Sequence, residues 1–221
     1  MAIQASRHFV LRKAHQLTGV IPLGVFLLEH LYTNSRALGS VAAGKTGAQL
    51  YNASVADLRS IPYIVFIEIF GIFLPMVFHG VYGLVLARES RLNVRQYGYG
   101  RNWLYVLQRL SGVFLFLFIT FHLLNFRFGL LPGLNQTPVS EHPNQAFWIV
   151  RSEFQHPAIL SIYIAGIIVA VFHLAHGLWL FSIDWGIAVG RRTQKILAYT
   201  CAVFGLVLAV IGVNAAAAFV R

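Results

Sequence analysis

The sequence predicts an all-α integral membrane protein in which five transmembrane helices form a single domain over residues 1–221. Of the 221 residues, 57% are hydrophobic and only 11% are charged, whereas a soluble domain carries about 25% charged residues. Five apolar stretches each approach or exceed the length of about 20 residues that crosses a bilayer. Helices satisfy their own backbone hydrogen bonds, as the hydrocarbon core requires, so each stretch is predicted to be helical.

The predicted spans are separated by short connectors of polar, glycine-rich or basic composition. Span II is the most clearly delimited, because its apolar residues run without a basic residue from Arg59 to Arg88. The connectors 37–58 and 129–156 are longer; the first is expected to be a loop or a surface helix and the second a loop. The five spans are, in order, 14–36, 61–88, 103–128, 157–183 and 195–219.

The strong positive charge indicates membrane orientation rather than nucleic-acid binding. The formal net charge is +10, but the basic residues lie in short clusters between apolar stretches. With five spans, 11 of the 17 lysines and arginines fall on one side of the membrane and 6 on the other. The richer side is expected to be cytoplasmic, which places the N terminus inside and the C terminus outside.

Four of the five spans each contain a histidine at membrane depth, namely His30, His79, His122 and His173. At about 1.5 Å per residue, His30 and His122 lie near the outer ends of their spans, and His79 and His173 lie toward the inner ends. Imidazole is a good ligand for iron, and haem sites in bundles use side chains on facing helices. The pattern predicts an outer iron between His30 and His122 and an inner iron between His79 and His173.

Other interpretations of these histidines remain open from the residues alone. Each could be a hydrogen-bonded packing residue, although matched depths on four helices favour iron. His176 lies one helical turn beyond His173, so its ring could also reach the inner site. The sequence has no C-x-x-C-H motif and a single cysteine, Cys201, so any haem is not attached through that motif. The remaining histidines lie at or outside the membrane edges and are interpreted as structural: His8, His15, His142 and His156.

Small residues and a proline add weaker indications within the spans. Gly19 and Gly166 are predicted to share a helix face with His30 and His173 respectively. Bare backbone at these positions suits a flat macrocycle, but it equally suits ordinary packing between membrane helices. Pro75 removes one helical hydrogen bond and is expected to bend span II.

Four segments resemble the cytochrome b membrane subunit of succinate dehydrogenase, of the single-chain, five-helix, two-haem type found in Gram-positive bacteria. The resemblance extends over nearly the whole chain and is weakest in 37–57 and 129–156. It implies that His30, His79, His122 and His173 are the axial ligands, with His173 preferred to His176. An acidic residue that some related fumarate reductases carry two positions before the last ligand is replaced by Val171. The segments are RKAHQLTGVIPLGVFLLEHL (12–31), EIFGIFLPMVFHGVYG (68–83), RNWLYVLQRLSGVFLFLFITFH (101–122) and VFHLAHGLWLFSIDWGI (171–187).

The resemblance also implies a function, cofactors and partners. We expect a multi-pass anchor in the cytoplasmic (inner) membrane that carries electrons through two b haems to a quinone, usually menaquinone. Its partners would be the flavoprotein and the iron–sulfur subunit of succinate dehydrogenase, and the chain itself would not oxidise succinate. The alternatives are the dihaem cytochrome b of a hydrogenase or formate dehydrogenase and, in another class, a haem-free transporter or scaffold.

Asp57 is the candidate for protonation of quinone at the outer end of the bundle. It precedes span II, and its position resembles that of an acidic residue implicated in quinol chemistry in related fumarate reductases. Asp57 could instead be a solvated loop residue or a helix cap. Glu29 and Glu68 lie within spans, where a carboxylate needs a proton or a basic partner. Weaker candidates at the outer end are Tyr32, Arg36 and His156.

Overall fold

In a computed structural model, which describes residues 2–221 and side chains from residue 7 onward, the chain is predominantly helical, as predicted. Residue 1, where the predicted domain begins, lies outside the described residues. The α-helices are α1 (Ala2–Val20), α2 (Pro22–Ser35), α3 (Gly47–Ser60), α4 (Ile64–Ile67), α5 (Leu74–Glu89), α6 (Gly100–His122), α7 (Ala146–Phe154), α8 (Pro157–Asp184) and α9 (Arg191–Ala218).

Within the described residues, four helices are long and apolar enough to cross a membrane. They are Ile64–Glu89, Gly100–Arg127, Pro157–Asp184 and Arg191–Ala218. The predicted first span, 14–36, is divided at Ile21 between α1 and α2. Pro22, the first residue of α2, lacks a backbone N–H and cannot continue the hydrogen-bond ladder. The chain is therefore an all-helical, multi-pass protein, and the first span, 14–36, stays a prediction.

In the part of the chain that the structure describes, two π-helical turns interrupt the regular helices. One, Glu68–Phe73, joins α4 to α5 immediately before Pro75. The proline cannot donate to the carbonyl of Gly71, so a change in the hydrogen-bond ladder is expected there. The other turn, Leu123–Arg127, follows directly on His122. Turns of this kind occur frequently at functional sites.

The helices pack as a bundle that places α1, α5, α6 and α8 around one interior. Helix α1 contacts α5 and α8, while α6 lies between α5 and α8. Helix α9 packs along α8 and also contacts α2. His79, His122 and His173 therefore lie on the neighbouring helices α5, α6 and α8. His30 lies on α2, which contacts α1, α5 and α9.

One end of the bundle, which we call the Lys13 end, joins the start of the chain to the ends of later helices. The Lys13 ammonium donates to the Asp184 carboxylate at 2.7 Å, at the end of α8. The Trp185 indole donates to the Gln16 side chain at 2.9 Å. The His8 ring lies 4.0 Å from the Glu89 carboxylate at the end of α5.

The opposite end, which we call the Arg127 end, is covered by α3 and α7. Thr46 and Gln49 form a reciprocal cap at the start of α3, which makes the connector 37–58 partly a surface helix. The connector 129–156 was predicted to be a loop, but its last third forms α7. The reason is apolar burial, since Phe147, Val150 and Phe154 pack against Phe219 and other core residues.

Candidate functional site

The structure brings together the histidines that the sequence paired. The ring centroids of His79 and His173 lie 6.4 Å apart, with ring planes inclined at 86°. Those of His30 and His122 lie 5.7 Å apart at 81°. Metal–imidazole bonds are about 2 Å long, so rings on opposite sides of one metal atom have centroids about 6 Å apart. Both pairs fit bis-imidazole ligation of a haem iron.

The pairs also match the ligand count of a haem. Among the described residues, no three or more His, Cys, Asp or Glu side chains gather into a group that could hold a bare metal ion. A porphyrin supplies four nitrogens itself and needs only two axial ligands from the protein. Each histidine pair supplies two imidazole rings, which is the number of axial ligands that one haem takes.

Hydrogen bonds fix the orientation of the His79 ring. Its Nδ1 lies 2.8 Å from the backbone carbonyl oxygen of His15. A carbonyl oxygen can only accept, so Nδ1 carries the proton and Nε2 keeps its lone pair. The His15 ring stacks on the His79 ring with centroids 4.0 Å apart. His79 thus keeps the lone pair of Nε2 free to bind a metal atom.

The His173 ring is fixed in the same way by residues of α6. Its Nδ1 lies 2.9 Å from Ser111 Oγ, and the Ser111 hydroxyl donates to the Gln108 carbonyl at 3.0 Å. The Gln108 amide nitrogen, which can only donate, lies 3.4 Å from His173 Nε2. The Gln108 contact requires the lone pair on Nε2, which puts the proton on Nδ1 facing Ser111 Oγ. A metal atom at Nε2 would take the place of the Gln108 amide.

His176, which the sequence left open as a ring that could also reach the inner site, contacts Gln108. Its Nδ1 lies 2.8 Å from Gln108 Oε1, an acceptor, and its ring stacks against Phe172. Within the described part of the chain, its buried Nε2 has no hydrogen-bond partner. The ring that faces His79 is that of His173. His176 instead positions Gln108.

The outer pair lies in an aromatic environment with fewer polar contacts. The His122 ring is surrounded by Phe118, Phe126 and Tyr163, with centroids 5.7–6.2 Å away. His122 Nδ1 is buried and finds no hydrogen-bond partner among the described side chains and backbone. The outer pair therefore differs from the inner pair in how its rings are held.

The two glycines singled out in the sequence lie against rings other than those expected. A Cβ at Gly19 would collide with the His79 ring, and one at Gly166 would collide with the Phe118 ring. Both glycines do permit close approach, but Gly19 accommodates the opposite histidine pair and Gly166 accommodates a phenylalanine. Gly112 is the glycine that lies against His173.

The sequence did not single out His15, Gln108 and Ser111. A usable signal exists for two of them, because Gln108 and Ser111 are polar, lie three residues apart within span III and therefore share a helix face. His15 contacts His79 through both its backbone carbonyl and its ring, and the carbonyl contact leaves no trace in the residue type.

Asp57, the quinone candidate, lies exposed in the last turn of α3. Its carboxylate makes no hydrogen bond or ion pair with the other described residues, and the N-cap of α3 is Thr46. Tyr32 is exposed, and the Arg36 guanidinium lies over its ring at 5.9 Å. His156 is exposed at the N terminus of α8.

Glu68 is a carboxylate held between two arginines at the Arg127 end. Its two oxygens accept from Arg59 at 3.0 Å and from Arg127 at 2.8 Å. Arg127 also donates to the Ser140 hydroxyl. The network links the end of α3, the start of span II and the π-helical turn that follows His122.

Comparisons with known proteins agree with the resemblance read from the sequence. Residues 88–213, just over half of the chain, match the family described as "Succinate dehydrogenase/Fumarate reductase transmembrane subunit". The chain is 35% identical over 218 residues to the "Succinate dehydrogenase cytochrome b558 subunit" of Bacillus subtilis (strain 168), an alignment that covers 99% of this chain and 100% of the relative. The chain therefore belongs to the family of succinate dehydrogenase/fumarate reductase transmembrane subunits.

Proposed function

We propose that the chain is the dihaem cytochrome b anchor of a succinate:quinone oxidoreductase in the cytoplasmic (inner) membrane. The observation that carries this proposal is that two separate pairs of histidines lie on facing helices. In each pair the ring centroids are close enough for both rings to bind one metal atom. Family membership and a relative named for its cytochrome support it. The haem-binding core would consist of the predicted spans 14–36, 61–88, 103–128 and 157–183, with span 195–219 beside it.

His79 and His173 would hold the inner haem b, and His30 and His122 the outer one. Bound haem supplies the one-electron chemistry needed to move electrons from an iron–sulfur subunit to quinone. The chain's own residues hold the rings in place, as Ser111 and the His15 carbonyl do for the inner pair. All four histidines are half-buried between the helices, and the surrounding bilayer would exclude water from them.

The Lys13 end is the proposed cytoplasmic face, where the iron–sulfur subunit docks and carries the flavoprotein with it. The basic connectors 89–101 and 184–195 would face the cytoplasm, in agreement with the positive-inside rule. Contacts of Lys13 and His8 with the ends of α8 and α5 support placing these segments together. This orientation leaves the N terminus inside and the C terminus outside.

Quinone, which we propose to be menaquinone, would react at the Arg127 end beside the outer pair. Reduction of a quinone consumes two protons, so a titratable group must be accessible there. Asp57 is exposed in α3 and precedes Arg59 and Glu68 along the chain. It is the proposed proton-transferring residue, and the neighbouring Glu68 network stabilises that surface.

The proposal is tested by an optical and compositional analysis of the purified complex. We expect two non-covalent b haems per chain in a pyridine haemochrome assay, together with a flavoprotein and an iron–sulfur subunit. If haem is found without those partners, or with hydrogenase or formate dehydrogenase subunits, the chain would be assigned to another respiratory complex. A purified protein with no Soret absorbance would leave a scaffold or transporter as the better assignment.

A further inference from the structure

The two histidine pairs differ in the hydrogen bonds available to their second ring nitrogens. In the inner pair, Nδ1 of His79 has the carbonyl of His15, and Nδ1 of His173 has the Ser111 hydroxyl. In the outer pair, Nδ1 of His122 is buried and unpartnered within the described residues. A buried nitrogen without a partner is unusual, so the contrast between the pairs is a feature to explain.

The Ser111 hydroxyl lies where it can donate to the Gln108 carbonyl and accept from His173 Nδ1 at the same time. Ser111 is 7% exposed, and its hydrogen is committed to the Gln108 carbonyl three residues earlier. Its lone pairs are therefore left to face His173 Nδ1 at 2.9 Å. Gly112, the next residue, leaves space for the His173 ring, since an added Cβ would come within 3.2 Å of its Cε1.

From this geometry we infer that Ser111 is a positioning residue that tunes the inner iron through His173. The inference rests on the proposed function. An acceptor at Nδ1–H makes the imidazole a stronger donor at Nε2 and fixes the ring plane. A stronger donor stabilises the ferric state, which lowers the reduction potential of the haem. The hydrogen bond at His173 Nδ1 would thus lower the reduction potential of the inner haem. His122, whose Nδ1 has no partner in the described residues, would make no such contribution to the potential of the outer haem.

The test is Ser111→Ala in the complete complex, with redox titration of both haems. Loss of an outer-shell partner of a metal-bound histidine changes metal-site equilibria by about 10-fold or more. A 10-fold change in the reduction equilibrium is about 59 mV for a one-electron couple. We expect the potential of one haem to rise by about that amount while the other stays constant. The electron paramagnetic resonance line of the same ferric haem should shift as its ring is released.

Ser182→Ala is a matched control on the helix that carries His173. Ser182 is also 7% exposed, and its hydroxyl likewise donates to the carbonyl three residues earlier, that of Trp179. It makes no hydrogen bond to a histidine in the described residues. Its replacement should therefore remove a buried serine hydroxyl without moving either potential. Ser111→Thr keeps the hydroxyl and should restore the wild-type value.

Each outcome decides the inference. Unchanged potentials in Ser111→Ala, equal shifts of both haems, or the same shift in Ser182→Ala would overturn it. If Ser111→Ala loses one haem, retention of that haem in Ser111→Thr shows that the hydroxyl holds the ligand, whereas loss in both variants refutes the role of the hydroxyl. Two haems in the wild type with no effect of Ser111 would leave the proposed function intact, and a haem-free wild type would remove both.

Discussion

Replacement of Glu68 by glutamine is expected to destabilise the Arg127 end of the bundle. The Glu68 carboxylate is the only acidic partner of both Arg59 and Arg127 in the described residues, with contacts of 3.0 and 2.8 Å. Glutamine keeps one acceptor oxygen and nearly the same shape but loses the negative charge. The variant therefore leaves two guanidinium groups close together without a counter-ion, at the level where span II begins and span III ends.

The size of the effect follows from the exposure of the three side chains. Hydrogen bonds to charged groups contribute about 1.5–3 kcal/mol each when they are shielded from water. The side chains of Glu68, Arg59 and Arg127 are 18%, 27% and 26% exposed, so solvent screening reduces each contribution toward about 1 kcal/mol. The loss of both gives a decrease in stability of about 2 kcal/mol. For a chain of this length that lowers the melting temperature by about 4–8 °C.

The assay is thermal unfolding of the purified complex in detergent, followed by intrinsic fluorescence and by release of bound haem. Glu141→Gln provides a matched control, because Glu141 is exposed and forms no ion pair with the described residues. A double-mutant cycle with Arg127→Gln should show a positive coupling to Glu68. A Glu68→Gln melting temperature within about 1 °C of the wild type, or one equal to that of Glu141→Gln, would refute the reasoning.

Three further predictions test the sites and the orientation. His79→Leu and His173→Leu should each remove the same single haem and leave the other, and loss of different haems would show that the pairing is wrong. Cysteines placed at Arg95 and Arg191, in a variant without the native cysteine, should react with an impermeant reagent only from the cytoplasmic side; labelling only from outside would reverse the orientation. Asp57→Asn should keep both haems and electron transfer from succinate to a soluble dye but lose transfer to quinone, whereas full quinone activity would exclude Asp57 from the reaction.

The helices and the histidine pairs were predictable because both depend on local properties of the sequence. Hydrophobicity over about 20 residues identifies a spanning helix, and a fixed rise per residue converts sequence position into depth. His79 and His173 could therefore be paired although 94 residues separate them. Depth alone left His176 open as a partner, and only the side-chain geometry showed that it contacts Gln108 instead.

What the sequence could not show depends on side-chain rotamers and on contacts between distant segments. Glu68 was recognised as a carboxylate that needs a partner, but Arg127, 59 residues later, could not be chosen from among the basic residues. The same limit applies to Gly166, whose neighbour is Phe118 rather than a histidine. Helix α7 was missed because its nine residues are too few for a spanning pattern and follow a proline-rich connector.

Helix α6 and the turn that follows it connect the features on which these predictions depend. Gln108 and Ser111 contact the inner pair, His122 belongs to the outer pair, and Arg127 holds Glu68. From Ser111 to His122 the helix rises about 16 Å, and the turn ending at Arg127 lies farther still. Changes separated by more than about 7–10 Å without shared partners act independently. One continuous helix therefore keeps the surroundings of the two histidine pairs at a set separation while allowing each to be adjusted by its own neighbours.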